Sequence, residues 1–146
     1  MTAGAREAWA QTTVHVWPGE YLFASLPAER MAEAAALLAA APAGTFAALV
    51  RERDETALTL PEASRARLQA LGARVDGPYR VLTLDVTLPL DLVGFLAPAA
   101  LRLAEAGVSI VPQCGFRTDH LLVRAGDLEP ARRVLEALVR ECAADR

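Results

Sequence analysis

A strand–helix–strand–strand–helix order runs twice through the 146-residue chain, and it predicts an α+β fold of two small units in tandem. Three observations carry that expectation. The halves open alike, with GEYLFASL at 19–26 and GPYRVLTL at 77–84. Their later hairpins correspond, RDETALTLPEAS at 53–64 answering TDHLLVRAGDLEPA at 118–131. Hydrophobic residues make up 53% of the chain, enough for a sizeable core and too many for disorder. Since a βαββα unit closed by one more strand is the ferredoxin-like arrangement, two tandem βαββαβ units are expected.

In the first half, Thr12–Trp17 and Glu20–Leu26 read as strands, because Val14, Val16, Tyr21 and Phe23 are strand formers and Pro18-Gly19 punctuates the join. From Ala28 to Ala41 the period changes to that of a helix, with Met31, Ala34, Ala35 and Leu38 on one face and Pro42 and Gly44 as stops. Strands follow at Thr45–Arg51 and Glu55–Leu60. A helix then starts at Pro61, where the missing N–H is no loss, and runs to Leu71 before Gly72.

In the second half, Tyr79–Leu88 alternates as a strand, Leu92–Ala106 is a helix stopped by Gly107, and Val108–Pro112 and Asp119–Arg124 pair as a hairpin. Asp127 precedes a last helix to about Cys142, with Leu128, Ala131, Val134, Leu135 and Leu138 inward. The units are expected at 12–72 and 73–142, with tails at 1–11 and 143–146. Those last residues are too few and too polar for a strand. The surplus strand at Thr12–Trp17 is available to complete the second unit's sheet instead. Trp17 reads as core, and Trp9 as a partner contact or a disordered position.

Charge and cysteine usage exclude several function classes. A net charge of −3 without a basic run argues against nucleic acid, whose phosphates need clustered cations. The N-terminus Met-Thr-Ala-Gly-Ala-Arg-Glu lacks the apolar run of a signal peptide, and no stretch reaches the ~18 apolar residues that span a bilayer. A soluble cytoplasmic protein with no membrane partner is expected.

The segment QCGFRTDH (113–120) holds a cysteine, an aspartate and a histidine close together. Catalysis by Cys114 would need an imidazole and an orienting acid acting together. On a strand Asp119 and His120 point to opposite faces, and the other histidine, His15, lies on a distant strand. A small hairpin residue is the favoured reading of Cys114, so no catalytic residue is expected. Two histidines and two cysteines show no metal-ligand spacing, and no metal or other cofactor is expected.

The stretch LTLDVTLPLDLVGFLAPAALRLAEAGVSIVPQCGFRTDHLLV (82–123) resembles the ACT domain, in the branch of small bacterial tandem-ACT proteins related to cytosolic arginine sensors. The features that carry the resemblance, in order, are a strand, an apolar loop holding Gly94, a helix closing in Ala-Glu-Ala-Gly-Val-Ser-Ile with Gly107, and a hairpin closing in Thr-Asp-His-Leu-Leu-Val with Asp119. It covers 79–138, and more weakly RDETALTLPE (53–62) in the first half.

The resemblance implies a regulatory protein without catalytic activity that binds a small molecule, often an amino acid, between a loop and a neighbouring hairpin. It places ligand contacts at Asp91, Leu92, Val93 and Gly94 in the loop and at Cys114, Gly115, Phe116, Thr118 and Asp119 in the hairpin. Helix-start N–H groups suit a carboxylate, Gly94 permits close approach, and Asp119 suits an ammonium group. Relatives often carry Ser-Thr-aromatic-Asp-Thr-Asp where this hairpin reads Cys-Gly-Phe-Arg-Thr-Asp, so two hydroxyls are lost and Arg117 replaces an acid.

Other roles stay open at several positions. Asp91 is a helix cap or a ligand contact, and Asp119 a ligand contact or a bond to its own hairpin. Arg53 and Asp54 are a ligand rim or a solvated hairpin tip. Phe95 and Phe116 close over a ligand or simply pack. A degenerate site on a protein-interaction module is the second reading of the whole chain. Apolar residues on both faces of 119–124 make a homodimer the expected assembly, with edge-strand pairing as one route.

Overall fold

The computed structural model of the chain describes residues 1–144. Positions 145 and 146, at the end of the expected C-terminal tail, lie outside the described residues. The elements in order are α1 (Ala3–Gln11), β1 (Thr13–Val16), β2 (Tyr21–Pro27), α2 (Met31–Ala39), β3 (Ala48–Arg51), β4 (Glu55–Pro61), α3 (Arg65–Ala70), β5 (Arg74–Asp85), α4 (Leu96–Glu105), β6 (Ile110–Cys114), β7 (Asp119–Arg124) and α5 (Leu128–Ala144). Single 3-10 turns lead into α2, α3 and α5. The fold is α+β, of two ferredoxin-like βαββαβ units, as the sequence predicts.

One unit is Trp17–Arg80. Its sheet order is β3-β4-β2 with the first part of β5, and β2 runs antiparallel to both β4 and β5. Alternation explains its core: Leu22, Ala24 and Leu26 from β2 and Leu58 and Leu60 from β4 meet Ala34, Leu37 and Leu68 of the helices. On α2 the buried residues are Ala34 and Leu37, while Ala35 is exposed. The expected strand from Thr45 begins only at Ala48, because the Thr45 N–H and Oγ1 both donate to the Pro42 carbonyl (3.2 and 2.6 Å) and hold a turn.

The other unit joins Met1–Val16 to the chain from Val81 onward. Its sheet order is β1-β5-β7-β6. The N-terminal strand supplies the missing sixth element, with Val14 opposite Leu84 and Val16 opposite Leu82. Its core gathers Leu82 and Leu84, Leu121 and Val123, Ala99 and Leu103 of α4, and Ala131, Leu135, Leu138 and Cys142 of α5. Leu122 points to the opposite face and is buried as well.

The sequence predicts a division between residues 72 and 73. The units instead part within β5, because its N-terminal part pairs with β2 and its C-terminal part with β1. Within residues 1–11, expected as a tail, Ala3–Gln11 form α1. Thr2 caps it by accepting from the Ala5 N–H at 3.1 Å, and Ala5 and Trp9, one turn apart, are fully buried. Neither tryptophan takes the place expected of it. Trp9 is core, while Trp17 is half-buried and meets Phe46 edge-on at 5.7 Å.

Candidate functional site

The chain between β5 and α4 is apolar and broken by Pro89 and Gly94. Its periodicity continues that of α4, so the sequence places the helix start at Leu92. The structure starts it at Leu96. Leu92 instead donates its N–H to the Pro89 carbonyl at 3.1 Å, and Gly94 takes φ +83°, which stops a helix and which only glycine adopts without cost. Phe95 therefore takes the N-cap position of α4 and supplies no side-chain cap. The first N–H groups of α4 have no partner within the helix, as at any helix start. Asp91, five residues ahead of Leu96, does not cap this helix.

Facing this loop is the β6–β7 hairpin. Cys114 and Asp119 are opposite partners at its end, and the turn closes through the Gly115 N–H to the Thr118 carbonyl at 2.9 Å. Arg117 ties the turn to the loop twice. Its carbonyl accepts from the Leu88 N–H at 3.0 Å, and its guanidinium donates to Thr87 Oγ1 at 3.0 Å. The cation that replaces an acid in the resembled pattern thus has a structural role here.

Loop and hairpin enclose a depression of about 380 Å³. Of the nine residues the resemblance points to, seven line it: Leu92, Gly94, Cys114, Gly115, Phe116, Thr118 and Asp119. Asp91 and Val93 do not, and both are exposed. The lining also includes residues beyond those nine. Leu88 and Leu90 come from the loop, Leu96 and Ala97 from the first turn of α4, and Arg117 from the hairpin. The signal that would have found Leu96 and Ala97 is Gly94 itself, read as the end of a loop.

Electrostatically, Asp119 is the acid of this lining. The Cys114 thiol is pushed up to about 11, first by its hydrogen bond to Asp119, then by burial and the same negative charge. The thiol is thereby held protonated at neutral pH, as a donor to the carboxylate. His120 lies on the other face, its Nδ1 2.8 Å from Thr83 Oγ1, and burial lowers its pKa. Among the described residues no group of three or more His, Cys, Asp or Glu side chains is placed to hold a metal ion. No helix among them is long and apolar enough to cross a membrane.

The corresponding hairpin tip in Trp17–Arg80 is solvated. Arg53 grips its neighbour Asp54 at 2.7 Å, with the two side chains 91% and 76% exposed. Phe95 is buried and stacked on Trp9, whereas Phe116 is 80% exposed at the rim of the depression.

No family model matches the chain, and no curated protein matches it in sequence. Solved structures do share its fold. A Vibrio cholerae protein of unknown function, described as a possible transport protein, matches over 93% of this chain and 96% of its own, at 23% identity and TM-score 0.73. An Agrobacterium tumefaciens protein matches over 88% and 89%, at 24% identity and TM-score 0.68. The regulatory subunit of aspartate kinase from Thermus thermophilus, in its ligand-free form, matches over 87% and 97%, at 14% identity and TM-score 0.63. At these identities the likeness is one of fold: the chain shares its α+β, ferredoxin-like fold with solved structures that include an aspartate kinase regulatory subunit.

Proposed function

We propose that this protein is a cytoplasmic regulatory ACT protein, without catalytic activity, that binds an amino acid in the depression between residues 88–97 and the 114–119 hairpin. The observation that carries the reading is the arrangement of three kinds of group around one space of amino-acid size. The uncapped start of α4 offers N–H groups to a carboxylate, beside a Gly94 with nothing within 4 Å of where a Cβ would stand. Asp119 offers a carboxylate to an ammonium group, its orientation supported by the Cys114 thiol. Leu88, Leu90, Leu92 and Phe116 offer apolar surface to a side chain. Asp91 and Val93 stand outside the lining, so the ligand contacts are assigned to the other seven expected residues. The resemblance of 82–123 to ACT domains and the fold shared with a regulatory subunit support the same reading.

Thermal shift against each of the twenty L-amino acids tests it. At one hundred times the dissociation constant the ligand should add about 2.7 kcal/mol of stability. No shift with any of them would count against an amino-acid site.

A second reading is an interaction module whose ligand site has degenerated. Phe116 and Leu90, 80% and 76% exposed at the rim of the depression, favour it. A second copy of the chain is the partner proposed in either case, with β3 and β6 at the sheet ends as the strands available for pairing. Association that depends on protein concentration, without any amino-acid response, would favour the second reading over the first.

A further inference from the structure

Helix α1 meets the loop beside the depression at successive residues. A Cβ on Gly4 would stand 3.0 Å from Leu92 Cδ1, so the helix backbone passes close to that side chain. Thr2 Oγ1 donates to the Val93 carbonyl at 3.0 Å. Trp9 Nε1 donates to the Phe95 carbonyl at 2.7 Å, in a buried bond, and its ring stacks on Phe95 at 4.7 Å and 16°. The two accepting carbonyls lie on either side of Gly94. Irregular backbone needs partners for its polar groups, and a glycine with positive φ is free to leave that conformation unless its neighbours are held.

We propose that α1 is the positioning element of the ligand loop, with Thr2, Gly4 and Trp9 holding Leu92–Phe95 in the shape that presents Gly94 and the start of α4 to a ligand. This rests on the amino-acid reading of the depression. Because binding free energies are reciprocal, a ligand that selects this loop shape also strengthens the docking of α1, and loosening α1 weakens the ligand. Occupancy of the depression is thereby linked to the N-terminal segment, which does not itself line it. The helix has anchorage apart from the loop, since Ala5 is fully buried and α1 packs against α5, so it braces the loop rather than depending on it.

Amide hydrogen exchange of the full chain, read without any ligand, tests the brace. Thr2→Asp keeps an acceptor to cap α1 but has no proton to give Val93, whereas Thr2→Ser keeps both functions. Trp9→Phe keeps a ring to stack on Phe95 and loses the Nε1–H donor. Thr2→Asp and Trp9→Phe should each speed exchange at Leu92, whose N–H is held by the Pro89 carbonyl within the loop, by about tenfold, the size of one lost hydrogen bond, with Leu121–Val123 unchanged. Thr2→Ser should match the wild type. Unchanged exchange at Leu92, or an equal rise at 121–123, would overturn the proposal. Each of the twenty L-amino acids added singly tests the coupling. The one that stabilises the wild type should bind Thr2→Asp and Trp9→Phe about tenfold more weakly and Thr2→Ser normally, while undiminished affinity in the first two overturns it. If none stabilises the wild type, the amino-acid reading fails, and exchange alone decides whether α1 braces the loop.

Discussion

In the second-half unit, residues 86–95 separate β5 from α4, whereas in Trp17–Arg80 Pro27 closes β2 and the 3-10 turn into α2 starts at Ala28. Both units place an acid on the facing hairpin, Asp119 in one and Asp54 in the other. The hairpins differ in what holds them. Arg117 is bonded back to Thr87 and Leu88, while Arg53 bonds its own neighbour. The first unit has no loop for its hairpin to close upon, and the depression there is lined by Glu52, Asp54, Glu55 and Arg74, with charge where the other unit presents Leu92 and Phe116. Loop length, more than the hairpin acid, decides whether this fold sets an apolar wall against the hairpin.

The largest expected effect concerns the support of that loop. Trp9→Ala should cost about 3–5 kcal/mol in denaturant unfolding, from the cavity left by a fully buried indole. Trp17→Ala, which removes a half-buried ring from the unit without the loop, should cost clearly less. Equal losses would break the comparison. Next come the two hairpin acids. Asp119→Ala should abolish the roughly 2.7 kcal/mol of ligand stabilisation seen by thermal shift, and Asp54→Ala should leave it intact. The reverse outcome would move the site to the first unit.

Smaller effects sharpen the local geometry. Gly94→Ala should destabilise by about 1–2 kcal/mol through the φ +83° backbone, with no steric clash to add. Smallest in free energy, yet easily measured, is the reactivity of Cys114. With its thiol pushed up to about 11 from 9.0, its labelling by a maleimide at pH 8 should run about one hundredfold slower than a peptide thiol. Asp119→Asn should speed it. Since the folded thiol keeps its proton to higher pH than the unfolded one, this group's contribution to stability is present below pH 9 and lost as pH rises toward 11.

Much of the fold was legible because its signals are local. Asp119–Arg124 is the strand that alternation predicts, Gly107 with φ +72° follows α4 as its stop, and the vacant sixth strand of the second unit is filled from the N-terminus. What escaped was set by tertiary contacts. An alanine-rich 1–11 carries little amphipathic signal, and its sign of order was Thr2 as a cap with Ala5 and Trp9 one turn apart. The apolar run Leu92–Phe95 keeps the period of α4, which hides the turn and so hid the helix start that lines the depression. Opposition of Cys114 and Asp119 follows from hairpin register, but Arg117 as the tie between turn and loop needs coordinates.

On the proposed function, an amino acid sits between the Gly94 loop and the Cys114–Asp119 hairpin. The most direct measurement is a two-dimensional amide NMR titration of the isotope-labelled full chain with the amino acid that raises its melting temperature. The account predicts saturable shifts concentrated at Gly94–Ala97, apart from Phe95's ring-current share, and at Cys114–Asp119, with Glu52–Glu55 unmoved. Shifts centred on Glu52–Glu55, or none with any of the twenty amino acids, would contradict it.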